Sequence, residues 1–297
     1  MAGGGVTRPC SLTVERPGLL TTVQDAGRPG LAHLGVPRSG ALDPVAHRLA
    51  NRLAGNPETV PVLETTLDGV TLRFSGPAAV AVTGAVAPLR LDGRHAGWGV
   101  PVLVRPGQVL DVGRATAGVR CYLAVSGGFA LPTVLGSVAT DLLSGLGPAP
   151  LVAGQTLPVG AASADPAVID LAPYEIPSRD VTLPIHRGPR DSWLTADGWS
   201  AMTTTSFTVA AASNRIGLRL VGGPVGQAAR GELPSEGLVW GAIQVLPDGG
   251  LVVFLADHPT TGGYPVAAVV DPAGFSACAQ SVPGTTVRFK MVHTGRG

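Results

Sequence analysis

Residues 235–265 read SEGLVWGAIQVLPDGGLVVFLADHPTTGGYP, and this stretch decides the fold. Two apolar runs, residues 238–246 and 251–256, flank a Pro-Asp-Gly-Gly sequence whose composition is typical of a reversing turn. The pattern therefore predicts a β-hairpin. Because the two ends of a hairpin lie side by side, the polar residues outside the strands are expected to meet at its open end. These residues are Ser235, Glu236, Asp257, His258, Thr260, Thr261 and Tyr264.

The composition indicates a globular, mainly β chain. Its 297 residues are enough for two domains or one large β domain, and 45% of them are hydrophobic. The 42 glycines and 27 prolines interrupt the apolar runs, which predicts many short strands joined by turns. A formal net charge of +1 gives no support to a nucleic-acid surface or an anionic-membrane surface.

Several features predict a soluble, cytoplasmic protein without a metal site. No run of about 18 apolar residues occurs. Residues 1–10 are glycine-rich and lack the apolar core of a secretory signal, so they are expected to form a disordered leader. Cys10, Cys121 and Cys278 fit neither a disulfide framework nor a metal knuckle, and the six histidines lack the spacing of a zinc pair.

Residues 19–43 precede one clear helical pattern. Glycine and proline interrupt this stretch so often that it predicts a long loop with little regular structure. After Asp43 and Pro44, apolar residues recur every four positions, and the repeat ends at Gly55. This pattern predicts a helix with Asp43 as its N-cap.

Strand-like runs fill much of the remaining chain, at residues 79–83, 100–104, 108–112, 120–125 and 207–211. Residues 161–178 instead combine proline, alanine and serine, which is typical of a linker. We therefore expect one domain over residues 11–175 and a second over residues 176–297.

Two ordered sets of residues, at opposite ends of the chain, resemble the signatures of one family. The N-terminal set comprises Thr22, Gln24, Asp25, Gly27, Arg28, Gly30, Gly35, Ser39, Gly40 and Asp43. The C-terminal set comprises Glu236, the Gly-Ala-Ile-Gln run that ends at Gln244, Asp257 and the Thr-Thr-Gly-Gly-Tyr-Pro run of residues 260–265. The family they resemble is that of the C component of 5-oxoprolinase, which includes KipA and allophanate hydrolase subunit 2 and is biotin-dependent carboxyltransferase-like. The resemblance implies a mainly β fold of two cyclophilin-like β-barrel domains with few short helices.

The resemblance extends to sequences around Arg187 and Arg215, and it includes two departures. Val86 follows a Gly-Ala pair where the family usually has Asp, and Asn214 replaces Asp in a Ser-Asn-Arg sequence. Each replacement removes a carboxylate that is common in relatives.

By resemblance, the chain is expected to carry a site for a small lactam or ureido group, built from carboxylates, guanidinium groups, amides and hydroxyls. The catalytic candidates are Asp25, Glu236 and Asp257. The substrate-binding candidates are Gln24, Arg28, Ser39, Gln244, Thr261, Tyr264, Arg187 and Arg215. We expect the N-terminal candidates of residues 24–28 to face Glu236, Asp257 and Tyr264 across one interdomain cleft.

Asp257 has two alternative roles, because it ends an apolar run and precedes a Thr-Thr-Gly-Gly turn. It is either a partly buried carboxylate that acts in the reaction or a cap for the following turn. The first role predicts that Asp257→Asn keeps its stability and loses at least about a hundredfold in rate. The second predicts a loss of stability of about 1 kcal/mol or less.

The lysine count limits the chemistry. Lys290 is the single lysine, which excludes a Walker A loop and a lysine Schiff base elsewhere in the chain. A phosphate would therefore meet arginine or backbone amides, and the glycine-rich residues 126–129 and 135–137 are either anion-binding loops or simple tight turns. Lys290 is not expected to carry biotin, because the sequence around it lacks a carrier domain.

Three functions from different classes follow. The favoured one, by resemblance, is the C component of an ATP-dependent 5-oxoprolinase that opens 5-oxo-L-proline to L-glutamate. A KipI-like B component is its expected partner, in a heterodimer or heterotetramer, and the A component is the third member. ATP is expected to bind within the complex, and the chain alone is expected to be inactive. One alternative is a carboxyltransferase module that acts on urea or a similar amide, with biotin supplied by a separate carrier. The other is a KipA-type regulatory protein that antagonises a kinase inhibitor.

Overall fold

The computed structural model describes residues 10–170, 172–228 and 232–292. Of the leader predicted at residues 1–10, all but Cys10 lies outside the described residues. The chain forms two units. The first comprises Met1–Ala26, Val45–Thr140 and Gly147–Ile176, and the second comprises Gly27–Pro44, Asp141–Leu146 and Pro177–Gly297. The second unit therefore takes two segments from the stretch that the sequence assigns to the N-terminal domain.

The described part of the first unit consists mostly of short strands. In chain order, its elements are β1 (Ser11–Arg16), β2 (Leu20–Gln24), α1 (Pro44–Leu53, which enters the unit at Val45), β3 (Val62–Thr66), β4 (Thr71–Phe74), β5 (Ala78–Val86), β6 (Leu89–Leu91), β7 (Arg94–His95), β8 (Val102–Val104), β9 (Val109–Val112), β10 (Ala117–Val125) and β11 (Thr156–Pro158).

These strands form two sheets that share one core. The first sheet has the strand order β11-β1-β4-β9-β6-β7, and the second has the order β2-β3-β10-β5-β8. Leu12 and Leu72 of the first sheet belong to the same buried cluster as Leu63 and Leu123 of the second. Since alternate side chains of a strand point to one face, the sheets bury these faces against each other.

Helix α1 confirms the predicted helix, and one loop prediction was wrong. Leu49 and Leu53 of α1 are buried, whereas Val45 is 50% exposed because the neighbouring Ala46 takes the buried side. The first part of the predicted loop at residues 19–43 is strand β2, which pairs antiparallel with β3. Its Thr-Thr-Val sequence has the β-branched composition of a strand, and pairing with a distant segment outweighs the glycines and prolines that follow.

The second unit contains the remaining strands and two short helices. In chain order, its described elements are β12 (Asp180–Arg187), α2 (Ala196–Thr204), β13 (Phe207–Val209), β14 (Gly217–Val221), β15 (Glu236–Gly237), β16 (Ala242–Val245), β17 (Leu251–Phe254), β18 (Thr261–Gly262), β19 (Val266–Val270), α3 (Phe275–Gln280) and β20 (Thr286–Met291).

Seven of these strands close a barrel in the order β12-β19-β16-β17-β14-β13-β20. The barrel closes where β12 and β20 pair in parallel, with Val181 opposite Val287. Its buried cluster consists mainly of Leu, Val and Ala side chains, as expected for a chain with only 4% aromatic residues. Strands β15 and β18 lie outside the barrel and form a separate two-stranded ribbon.

The predicted central hairpin is confirmed as β16 and β17, with Ile243 opposite Val253. Its turn is closed by the backbone bond from the Leu246 N–H to the Gly250 carbonyl, 2.9 Å long. The first strand starts at Ala242 rather than near residue 238, because Gly241 has a φ of 85° and breaks the extended backbone. A Cβ atom at Gly241 would lie 2.9 Å from the Phe275 ring and 2.9 Å from the Val270 carbonyl oxygen.

The fold class predicted from the sequence is confirmed. The described chain is mainly β, and its α-helices have 10, 9 and 6 residues. No helix among the described residues has the length and apolar character needed to cross a membrane.

Candidate functional site

A pocket of about 320 Å³ lies in the second unit, beside the open end of the central hairpin. One wall is the loop of residues 28–38. The other consists of residues just outside the hairpin strands together with the first residue of α3. The lining side chains with polar or aromatic groups are Arg28, Arg38, Trp240, His258, Thr260 and Phe275. The polar residues at the hairpin end thus contribute to a concave surface rather than to a flat loop region.

The loop is held in shape by its own backbone. The Arg28 N–H donates to the Arg38 carbonyl oxygen at 2.8 Å, which closes the loop at its base. Gly27 has a φ of 79°, and a Cβ atom there would lie 2.6 Å from the carbonyl oxygens of both Arg38 and Ser39. Only glycine avoids this overlap, so the glycine of the N-terminal signature has a steric function.

An aromatic pair lies at one side of the pocket. The rings of Trp240 and Phe275 are parallel within 5°, and their centroids are 4.5 Å apart. The guanidinium carbon of Arg38 lies 5.7 Å from the Trp240 centroid, within the range of a cation–π interaction. Asp43, which directly precedes helix α1, accepts hydrogen bonds from Ser276 Oγ at 2.7 Å and Gln280 Nε2 at 2.9 Å. These bonds fix helix α3 and its Phe275. The N-cap role of Asp43 stays a prediction.

His258 is a neutral histidine in the wall of the pocket. Its Nδ1 lies 2.7 Å from the Pro259 carbonyl oxygen, and because a carbonyl only accepts, Nδ1 is the donor. Burial lowers the pKa of His258 below 6.5, although this hydrogen bond and the nearby Asp257 and Asp141 act in the opposite direction. At neutral pH the imidazole is therefore uncharged, with its lone pair on Nε2.

Asp257 lies next to the pocket at the centre of a buried ion-pair cluster, and both it and Arg215 are at most 1% exposed. Its Oδ1 accepts from Ser39 Oγ at 2.7 Å and Arg215 Nη2 at 3.0 Å. Its Oδ2 accepts from Arg215 Nε at 2.9 Å and the Leu142 N–H at 3.2 Å. The predicted hydroxyl and amide neighbours are present, but the carboxylate is fully buried rather than partly buried. Its donors also lie outside the Thr-Thr-Gly-Gly turn, which argues against the alternative role as a cap for that turn.

The Asp257 cluster fixes the loop that lines the pocket. Ser39 has a φ of 52°, a left-handed conformation that is strained for a residue with a side chain. Its hydroxyl bond to Asp257 and the bond from its N–H to the Ala256 carbonyl, 3.0 Å long, hold it there. Arg215 Nη2 also donates to the Gly40 carbonyl at 2.7 Å. This geometry favours a positioning role for Ser39, Arg215 and Asp257 rather than contact with a ligand.

Glu236 belongs to the ribbon of β15 and β18, in which it lies opposite Gly262. Arg190 donates to both of its carboxylate oxygens, through Nε at 3.0 Å and through Nη2. This pairing lowers the pKa of Glu236, so the carboxylate stays ionised over a wider pH range than an isolated glutamate. Thr261 is exposed on the same ribbon, which leads directly into the pocket wall.

Three further candidates lie outside the pocket lining. Gln244 Nε2 donates to the Tyr264 carbonyl oxygen at 2.9 Å, so it shapes the turn, and the Tyr264 side chain is 46% exposed. Arg187 packs its guanidinium over Trp199, 4.4 Å from the ring centroid, and pairs with Asp191 at 3.1 Å. Of the residues predicted to bind substrate, Arg28 lines the pocket directly, and it is 2% exposed.

Gln24 and Asp25 belong to the first unit. Asp25 accepts hydrogen bonds from Ser137 Oγ at 2.6 Å and from the Val138 N–H at 2.8 Å. Gln24 Nε2 donates to Thr22 Oγ1 at 3.0 Å and to the Thr140 carbonyl at 2.9 Å. Residues 135–137, one of the two candidate anion-binding loops, thus bind the Asp25 carboxylate of this chain through Ser137 Oγ. That these residues face Glu236, Asp257 and Tyr264 stays a prediction.

Sequence reasoning did not select Arg38, Trp240, His258 or Phe275 as site residues. Arg38 and His258 are the sequence neighbours of Ser39 and Asp257, which the family signatures include. Trp240 lies between the selected residues Glu236 and Gln244. One available signal was the position of Trp240 next to Gly241, since a glycine at a strand end permits a sharp change of chain direction. Among the described residues, no group of three or more His, Cys, Asp or Glu is placed to hold a metal ion.

Comparison with known families identifies the group to which the chain belongs. The family model described as the carboxyltransferase domain, subdomain A and B, matches residues 34–291. The chain belongs to this carboxyltransferase-domain family. It is 36% identical over 284 residues to the C component of 5-oxoprolinase from Escherichia coli K12, with 94% of this chain and 90% of that protein covered.

Solved structures of carboxyltransferase-domain relatives have the same fold. The Kluyveromyces lactis urea amidolyase matches with a TM-score of 0.90 and 30% identity, over 97% of this chain and 19% of that one. The protein TTHA0988 matches with a TM-score of 0.85 and 34% identity over 95% of this chain. This chain spans 56% of the TTHA0988 chain.

Proposed function

We propose that this chain is the C component of an ATP-dependent 5-oxoprolinase, which opens the lactam of 5-oxo-L-proline to give L-glutamate. The observation that carries the proposal is the 36% identity to the C component of the Escherichia coli 5-oxoprolinase, over 90% of that protein's length. The pocket beside the central hairpin adds support, because its groups match those of a small, planar, anionic lactam. We propose it as the 5-oxoproline site.

Each part of the substrate has a counterpart among the lining residues. Arg28 and Arg38 supply guanidinium groups, which bind carboxylates through paired hydrogen bonds. The Trp240 ring offers an apolar face to the flat ring of the lactam. Guanidinium donors also suit the negative charge that develops on the lactam oxygen during ring opening. The volume of about 320 Å³ is at the lower end for small-ligand sites, as a substrate of this size requires.

The proposal assigns no phosphate site for ATP to this chain. The chain has one lysine, Lys290, and several amides of residues 126–129 and 135–137 already have acceptors in the chain. Ser137 N–H donates to the Val134 carbonyl oxygen at 3.2 Å, and Gly127 N–H donates to Asn56 Oδ1 at 2.9 Å. The proposal therefore assigns ATP contacts to the partner proteins, namely a KipI-like B component and the A component, and assigns the lactam pocket to this chain.

Reconstitution tests the proposal. The chain is co-expressed with its two partner components, and L-glutamate and ADP released from 5-oxo-L-proline are measured for the full complex and after omission of each component. We expect turnover in the full complex and none from this chain alone. Turnover by the chain alone would contradict the division of roles. A full complex that hydrolyses no 5-oxoproline would contradict the assignment itself.

A carboxyltransferase module is the second candidate, because the urea amidolyase of Kluyveromyces lactis matches with a TM-score of 0.90. In this alternative, the chain transfers a carboxyl group to urea or a similar amide, and a separate carrier protein supplies biotin. The assay is carboxylation of urea by the chain in the presence of a carboxylated biotin carrier. Carrier-dependent carboxylation together with no 5-oxoproline turnover would replace the first proposal with this one.

A further inference from the structure

The imidazole of His258 has one ring nitrogen without a partner among the described residues. Nδ1 donates to the Pro259 carbonyl at 2.7 Å, which leaves the Nε2 lone pair as the only acceptor of the ring. His258 lines the pocket, and most of its surface is buried in the pocket wall. A ligand with a hydrogen-bond donor would give this acceptor a partner inside the pocket.

Burial keeps this nitrogen an acceptor at neutral pH. Arg28 and Arg38 line the same pocket, and their guanidinium groups are donors only. Asp257 and Asp141 favour protonation, but Asp257 is itself paired with Arg215. The net result is a pKa for His258 below its ordinary value, chiefly because of burial. The pocket thus combines two obligate cationic donors with one neutral acceptor.

The proposed substrate has the complementary pattern. At neutral pH, 5-oxoproline carries acceptor oxygens on its carboxylate and its ring carbonyl, and its ring N–H is its single donor. Guanidinium groups satisfy the oxygens and have no lone pair for the N–H. Among the lining side chains, His258 Nε2 and the Thr260 hydroxyl are the acceptors that remain. Nε2 has a fixed direction, whereas a hydroxyl rotates and also acts as a donor.

We infer that His258 Nε2 accepts the hydrogen bond of the ring N–H and so makes the pocket selective for a lactam over a ring that lacks N–H. This inference rests on the proposed function and adds a specificity-determining residue to it. His258 orients the ring through its N–H, while Arg28 and Arg38 hold the carboxylate and the carbonyl. The bond to Pro259 places the proton of the neutral ring on Nδ1 and so leaves Nε2 as the acceptor.

Two conservative substitutions separate the two nitrogens of His258. In His258→Asn, the side-chain amide replaces Nδ1, so it retains a donor for the Pro259 carbonyl and loses the acceptor. In His258→Gln, the longer side chain places its amide oxygen near the position of Nε2, so it retains the acceptor and loses the bond to Pro259. If His258 has only a structural role, His258→Asn should impair the KM less than His258→Gln does. If His258 recognises the ligand, His258→Gln should impair the KM less.

The test measures the KM for 5-oxo-L-proline of the reconstituted complex with each variant. It also measures the inhibition constant of the matching γ-lactone acid, in which oxygen replaces the ring N–H. We expect His258→Asn to raise the KM about 10- to 100-fold, the usual range for leaving one polar partner unsatisfied, and His258→Gln to change it by less than about threefold. In the wild-type complex, the lactone should bind about 10- to 100-fold more weakly than the lactam, and this difference should disappear in His258→Asn.

The inference is overturned if His258→Gln impairs the KM more than His258→Asn does, or if the wild-type complex binds the lactone as well as the lactam. It is also overturned if Thr260→Val, rather than His258→Asn, removes the discrimination. Each of these results leaves 5-oxoproline turnover by the wild-type complex intact, and with it the proposed function. Absence of turnover by the wild-type complex instead overturns both.

Discussion

Replacing Asp257 by asparagine tests the buried ion pair that fixes the pocket loop. The carboxylate accepts four hydrogen bonds, two from Arg215, one from Ser39 Oγ and one from the Leu142 N–H. Asparagine keeps one acceptor oxygen and turns an N–H₂ group toward donors at the other position. It also leaves the guanidinium of Arg215, 1% exposed, without its counter-charge. Both effects are unfavourable in a site that water does not reach.

The loss of one partner from a buried ion pair costs about 3–5 kcal/mol in the free energy of unfolding. For a unit of this size, about 1 kcal/mol corresponds to roughly 2–4 °C, so the Tm of Asp257→Asn should fall by about 6–20 °C. The matched control is Asp180→Asn, which removes the carboxylate of an exposed pair with Arg288 in the same unit. An exposed pair contributes little, and the control should lower the Tm by less than about 4 °C.

Thermal unfolding of the purified variants, followed by calorimetry, supplies the measurement. The double variant Asp257→Leu with Arg215→Met should lose less stability than either single variant, since it leaves no unpaired charge. The reasoning is refuted if Asp257→Asn keeps its Tm within about 2 °C of wild type. If that stable variant also loses at least about a hundredfold in the rate of the reconstituted complex, Asp257 acts in the reaction, as the sequence first suggested.

Three further changes test the pocket and the two units. Trp240→Leu removes the aromatic face, so the KM for 5-oxoproline should rise about 3- to 10-fold in steady-state assays. An unchanged KM would mean that the lactam ring does not pack against Trp240. Gly27→Ala should lower the Tm more than Gly30→Ala, because both residues have positive φ but a Cβ atom meets backbone oxygens at 2.6 Å at Gly27 and nothing within 4 Å at Gly30. Burial lowers the pKa of His47 below 6.5, so the unfolded chain binds more protons and stability should fall as the pH drops below about 6.5. His47→Gln should flatten the Tm profile between pH 5 and 7 relative to wild type, and an equally steep profile would assign the pH dependence to other groups.

Much of the fold was predictable because its signals are local. The central hairpin follows from two apolar runs and a turn sequence, and α1 follows from a repeat of four residues after Asp43. Strand β2 was missed because its pairing with β3 depends on a segment some 40 positions away. Gly27–Pro44 and Asp141–Leu146 belong to the second unit because of contacts with residues distant in sequence. Neither segment contains a residue pattern that indicates this membership.

The candidate site was predicted less completely than the fold. The family resemblance selected Ser39, Arg215 and Asp257, and the structure brings these residues together. Residue type and order do not show how deeply a carboxylate is buried, so a positioning cluster and a catalytic group look alike in sequence. Trp240 and His258 line the pocket beside this cluster. Their positions depend on sharp changes of chain direction at glycines such as Gly27 and Gly241, and the sequence does not give the direction of these turns.

The most direct test of the central claim, that 5-oxoproline binds in the pocket beside the hairpin, is the KM of the reconstituted complex with Arg38→Met. Methionine keeps an unbranched apolar stem over Trp240 and removes the guanidinium, so the KM for 5-oxo-L-proline should rise about 10- to 100-fold. The control is Arg288→Met, an exposed arginine of the same unit that pairs with Asp180 outside the pocket, and its KM should stay within about twofold of wild type. Equal KM values for wild type, Arg38→Met and Arg288→Met would contradict the account.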